Sequence, residues 1–140
     1  MIRDRAEQLR ELDLQITSTW HDRREGANIT GHDPAMLSRC AERDLCQVTQ
    51  ADIIIVFADP PHCRYAGGGR HSELGAALMW NYLAELEYPR CSHRKVILLV
   101  GKPGQVFHHM SGIEVFPDWL TCKEQLRMVA QPGPEAEVTT

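Results

Sequence analysis

Asp44 and Glu73 are the two side chains of this 140-residue sequence best placed to act together chemically. Glu73 follows the glycine triplet Gly67-Gly68-Gly69 and lies in the first turn of a helix-like segment. Glycines there can take positive φ and admit a ligand close to the backbone, and the first N–H groups of the next helix attract anions. Upstream, the apolar run Ile53 to Phe57 enters a turn with Asp59, Pro60 and Pro61, so a strand delivers a carboxylate to a helix mouth. Asp44 flanks an apolar helical stripe, and it comes near the sheet's carboxyl edge if its helix runs antiparallel to the strands. Two carboxylates converging on one crevice can divide labour, one as an ionised nucleophile and one as a proton donor. That division is used to break glycosidic bonds. Other chemistries find less support. His62-Cys63 and His108-His109 are adjacent pairs whose side chains diverge, and no second pair has ligand spacing, so no metal site is expected. None of the cysteines sits in an evidently electropositive helix mouth, although Cys63 comes closest. There is no G-x-S-x-G elbow and no P-loop lysine motif.

The elements that must position these groups follow from periodicity. Ile2, Ala6, Leu9 and Leu12 recur at near-helical spacing and predict a helix over Met1 to Leu12. Residues Asp13 to Trp20 alternate like a short strand, and His21 to His32 is a polar, glycine-containing surface loop that can lie over the site. Asp33-Pro34 is an N-cap followed by a first-turn proline, opening a helix to about Thr49 with Leu37, Ala41, Leu45 and Val48 on one face. Ile53 to Phe57 suits a strand buried on both faces. A helix from about Arg70 to Glu87 follows, with Leu74, Leu78, Ala77 and Leu83 facing inward. Lys95 to Val100 reads as a second buried strand, Ile113 to Phe116 as a short one, Trp119 to Val129 as a last helix, and Gln131 to Thr140 as a disordered tail. Strands separated by helices predict an open, three-layer, doubly wound and mostly parallel α/β sheet of four to five strands, flavodoxin- or Rossmann-like. Its ligands bind beyond the carboxyl ends of the strands.

One domain over residues 1–130 accommodates all of this, and a chain of this length buries roughly two thirds of its unfolded surface. A formal charge of −4 and a pI near 5.9 leave no electrostatic footprint for a polynucleotide, and Arg3/Arg5 and Arg23/Arg24 are short local clusters. No signal segment or long uncharged apolar span is present, which predicts a cytoplasmic protein with no membrane partner. Cys40, Cys46, Cys63, Cys91 and Cys122 are odd in number and include no C-x-x-C pair, as expected of free thiols in a reducing compartment.

The pattern A-E-R-D-L-x-x-V-x-x-A-D (Ala41 to Asp52), an apolar strand, G-G-x-x-x-E-L-G-x-A (Gly68 to Ala77) and V-G-x-P-x-x-V-F-H (Val100 to His108) resembles the nucleoside 2-deoxyribosyltransferase superfamily, including its nucleoside-monophosphate N-glycosidases. The similarity spans most of residues 14–127. It implies that Glu73 attacks the anomeric carbon to form a glycosyl-enzyme intermediate and that Asp44 protonates the departing base. It further implies substrate contacts from Asp59, Gly67, Gly68, Gly69, Arg70 and His108, a nucleoside or nucleotide as the small-molecule partner, and no cofactor. Val106-Phe107-His108 corresponds to the region that relatives use to complete a neighbour's site, so a homodimer or higher homo-oligomer is expected.

Two features depart from that pattern, and two alternatives stand beside it. Gly67 stands where transferases of the superfamily carry a sugar-contacting aspartate and some monophosphate hydrolases a serine, which leaves the substrate open. Members open with a β-strand, whereas this sequence begins at the helix that follows it. The strands at Leu14 to Thr19 and at Ile53 are therefore expected to be either directly paired or separated by a gap. Ala66-Gly67-Gly68-Gly69 with Glu73 also approaches the P-G-G-x-G-T-x-x-E motif of cytokinin-activating phosphoribohydrolases, with Arg70 where threonine is expected. A nucleotide-binding module without turnover is the second alternative, since a fold does not guarantee chemistry.

Overall fold

The computed structural model describes residues 2–19, 33–58 and 68–130. The three expected apolar runs form the strands β1 (Ile53–Phe57), β2 (Val96–Val100) and β3 (Ile113–Phe116), all parallel and in the order β1-β2-β3. The register aligns Ile55 with Leu98 and Leu98 with Glu114. Ile97, Leu98, Leu99 and Val100 of the middle strand are all buried, as a central parallel strand covered on both faces requires. The fold is thus mixed α/β, with α1 (Ile2–Arg10), α2 (Pro34–Gln50), α3 (Gly68–Glu85) and α4 (Trp119–Ala130) around a three-stranded parallel sheet.

Alternation along β2 sends side chains to two separate cores. On one face Ile97 and Leu99 pack with Val56, with Val48 of α2, and with Leu74 and Ala77 of α3. On the other, Leu98 and Val100 pack with Phe116 and with Cys122 and Leu126 of α4, joined by Leu9 and Leu12 from the α1 side. Trp119 fastens α4 to α1 by donating its indole N–H to Gln8 Oε1 at 2.7 Å, and Arg5 of α1 lies 4.1 Å from the Phe57 ring centre. Asp13 (φ 62°) and Glu87 (φ 55°) end α1 and α3 in left-handed turns, with Leu14 N–H donating to Leu9 O and Tyr88 N–H to Leu83 O.

Four expectations need correction. Sequence patterning predicts four to five strands, and three are described. Residues 14–19 form no ladder among the described residues, and Leu14–Ser18 line a pocket together with Ile53, Ile55 and Phe57 of β1. Alternation specifies a two-faced extended segment, but only a neighbouring strand can make it part of a sheet. The α2 stripe is narrower than its spacing suggests. Val48 is buried, but Leu45 is 46% exposed, since α2 packs against α3 rather than lying flat on the sheet. Finally, α3 starts at Gly68, so Gly68 and Gly69 are helical rather than a loop, and Glu73 stands in the second turn rather than the first.

Asp33 caps α2 as expected, accepting a hydrogen bond from Ala35 N–H at 3.2 Å with Pro34 in the first turn. The expected loop at 21–32, together with Asp59, Gly67, Cys63 and the tail at 131–140, lies outside the described residues. No helix among the described residues is long and apolar enough to cross a membrane.

Candidate functional site at the carboxyl edge of the sheet

The carboxyl ends of β1 and β2 are held close by backbone contacts that only a small residue permits. Ala58 N–H donates to Val100 O at 2.8 Å, and Gly101 N–H to Phe116 O at 2.8 Å. Gly101 has φ +108°, and a Cβ there would meet Ala58 Cβ at 3.2 Å, so both the conformation and the space select glycine. The chain then rises into a short 3₁₀ turn, Val106–His109. Gly104 N–H donates to His108 Nδ1 at 3.2 Å and His108 N–H donates to Gln105 O at 3.0 Å. His108 is buried as a result, and acceptance at Nδ1 leaves its ring proton on Nε2.

The start of α3 meets this loop. Its first N–H groups, from Gly68 onward, are the ones that an α-helix leaves unpaired internally. His71 Nε2 lies 2.7 Å from Gln105 Nε2. As placed, the amide donates to the ring, which puts the His71 proton on Nδ1; that atom is buried and has no hydrogen-bond partner among the described residues. His71 and Gln105 do not emerge from sequence reasoning. Both occupy unspecified positions of the motifs around Glu73 and His108, and their pairing depends on the distance between a helix start and a loop 34 residues later.

Asp44 and Glu73 sit on helices that both run from the carboxyl to the amino edge of the sheet. Each lies one turn before a buried residue, Asp44 before Val48 and Glu73 before Ala77, and those two residues share one core cluster. This places both carboxylates one turn toward the carboxyl edge from a common anchor. Both side chains are half-buried. Asp44 Oδ1 is bound by Arg43, at 3.3 Å from Nε and 3.1 Å from Nη2. Gly68, Gly69 and Arg70 form the first three residues of α3. The sheet edge therefore brings together His108, Gln105 and His71, with Glu73 two residues along the same helix.

Lys95, just before β2, fixes α2 from below and also escapes sequence reasoning. Only 3% exposed, its ammonium donates to Thr49 O at 2.9 Å and Ala51 O at 2.6 Å and lies 4.3 Å from the Trp80 ring centre. Asn81 accepts from Lys95 N–H and donates to Lys95 O. Burial lowers the Lys95 pKa, partly opposed by Asp52 and Cys91. No signal marks this residue in one sequence, because a lysine at a strand start reads as a solvated end. Among the described residues, no group of three His, Cys, Asp or Glu side chains could hold a metal ion. No protein-family model, curated protein or solved structure matches the chain.

Proposed function

We propose that the chain cleaves or transfers at the N-glycosidic bond of a nucleoside, deoxynucleoside or nucleoside 5′-monophosphate, without a cofactor. Its frame is read as a doubly wound, three-layer sandwich of the flavodoxin type, resembling the nucleoside 2-deoxyribosyltransferase superfamily. The observation that carries this proposal is the contact of His71, at the start of α3, with Gln105 in the loop after β2, at the carboxyl edge of the sheet. Ligands of open parallel sheets bind at this edge. Glu73 would attack the anomeric carbon as the glycosidic bond breaks, and the base would leave with a proton from Asp44. Water, or a second base, then displaces the sugar from Glu73 and restores the carboxylate. His71 Nδ1–H and His108 Nε2–H are donors suited to sugar hydroxyls or a phosphate, beside the N–H groups of Gly68, Gly69 and Arg70.

A homo-oligomer completes the proposal, because Val106, Phe107 and Met110 are 79%, 49% and 46% exposed in the same loop. Incubation with a panel of ribo- and deoxynucleosides and their monophosphates, followed by chromatography for free base, tests the activity. Base release that disappears in Glu73→Gln supports it, and an inert panel at millimolar substrate counts against it.

The ion pair between Asp44 and Arg43 favours a second reading, a nucleotide-binding module without turnover, because proton donation requires that pair to open. Calorimetric binding of a nucleoside monophosphate with no base release over hours would support the module.

A further inference from the structure

Ile53, Ile55 and Phe57 are alternate residues of β1, so their side chains share one face of the strand, and all three are only partly buried. They line a cavity of about 330 Å³ together with Arg5 and Leu9 of α1, Leu126 of α4 and the stretch through Leu14, Ile16 and Ser18. At about 30 Å³ for each water-sized group, that volume holds about eleven non-hydrogen atoms. Water is a poor occupant, since it needs several polar partners and these walls are mostly aliphatic. Two polar groups stand out in the lining. The Arg5 guanidinium lies 4.1 Å from the Phe57 ring centre and 5.8 Å from that of Trp119. Stacking uses the face of a guanidinium and leaves its N–H edge available, and no carboxylate among the described residues pairs with Arg5. Ser18 Oγ is buried and has no hydrogen-bond partner among the described residues. The acidic residue of the lining, Asp52, turns away, its carboxylate 83% exposed and 3.3 Å from His93 Nε2.

We propose that this cavity is a binding site for a medium-chain hydroxy acid, a monocarboxylate of about eight carbons with one hydroxyl along its chain. The carboxylate takes the N–H edge of Arg5, because two parallel hydrogen bonds match a planar guanidinium to a planar carboxylate. The chain covers Ile53, Ile55 and Phe57, and each methylene so buried strengthens binding about fourfold. Ser18 Oγ gains the chain hydroxyl as its partner, which an unsubstituted fatty acid cannot supply. Glu73, His71 and Gln105 do not line the cavity, so this inference is independent of the chemistry proposed for them.

The test uses the full chain, calorimetry and thermal melting, with straight-chain carboxylates from butanoate to dodecanoate, octanol and the monohydroxyoctanoate isomers as probes. Saturable one-to-one binding and a higher melting temperature are expected for octanoate, with affinity rising about fourfold per methylene and levelling off once the cavity is full. Octanoate should bind at least tenfold tighter than octanol, and Arg5→Gln should remove that difference. At least one hydroxyoctanoate should bind tighter than octanoate, and Ser18→Ala should cancel its advantage. Ile16→Trp, which fills the cavity and leaves Arg5 in place, should abolish binding and provides an independent check should the arginine variant fold poorly. Absence of binding by the wild type at millimolar octanoate overturns the proposal, as does equal affinity for octanoate and octanol. Hydroxyoctanoates that all bind no tighter than octanoate overturn it too. So does an affinity that keeps climbing through dodecanoate or survives Ile16→Trp, since both describe detergent-like adsorption outside the cavity.

Discussion

Replacing Lys95 by methionine keeps the stem that lies along Trp80 and removes only the ammonium, so it isolates what that charge does for α2. Two charge-assisted hydrogen bonds are lost, each worth about 1.5–3 kcal/mol. Against this, the variant no longer has to desolvate a cation, and water can reach the carbonyl of exposed Thr49 while that of Ala51, only 9% exposed, stays stranded. The net loss should be about 2–3 kcal/mol, a large share of the total for a domain of this size. That corresponds to a fall in melting temperature on the order of 10 °C. Urea titration followed by circular dichroism measures it, with an unchanged m-value showing that the folded state is intact. A loss below about 0.5 kcal/mol would refute the capping role, since water would then be replacing both bonds. The pH dependence supplies a second check. Burial lowers the folded-state pKa below the unfolded value near 10.5, so between the two the unfolded chain binds more protons and stability rises with pH. The advantage of the wild type over Lys95→Met should therefore widen as pH climbs toward 10.5.

Asp44→Asn should reduce base release by about two to four orders of magnitude for unactivated purines and far less for a nitrophenyl leaving group, which departs without a proton; equal losses on both indicate a structural role. Burial pushes the Cys122 thiol up to about 11 from 9.0, so its contribution is full below pH 9 and is lost as pH rises through 11. Cys122→Ala should flatten that part of the stability profile, and a thiol reagent at pH 8 should modify exposed Cys46 while sparing Cys122; rapid labelling of both contradicts the packing. Phe107→Asp should shift the particle toward a monomer in light scattering, and a wild type that is already monomeric at micromolar concentration rules out the proposed assembly.

What the sequence makes legible here is whatever depends on local pattern. Ile53 to Phe57 and Val96 to Val100 are uninterrupted apolar runs and become the strands that such runs predict. Asp33-Pro34 caps a helix because an aspartate oxygen and a fixed proline φ suffice to start one. Patterns whose outcome depends on a distant neighbour are not legible. Leu14 to Thr19 alternates correctly but joins no strand among the described residues. Gly68 and Gly69 look like loop residues until the rest of α3 is present to continue through them. His71 with Gln105 and Lys95 with Thr49 and Ala51 join residues 34 and 44–46 positions apart, distances at which no single-sequence period operates.

The central claim is that Glu73 carries the reaction through a covalent bond to the sugar, and the most direct measurement is intact-protein mass spectrometry. The full chain, quenched in acid during turnover of its best nucleoside or nucleotide substrate, should gain the mass of the free sugar or sugar phosphate less one water, on the peptide containing Glu73. Glu73→Gln should fold normally, gain no such mass and release no base. Turnover that survives in Glu73→Gln, or an adduct that maps to another residue, would contradict the assignment.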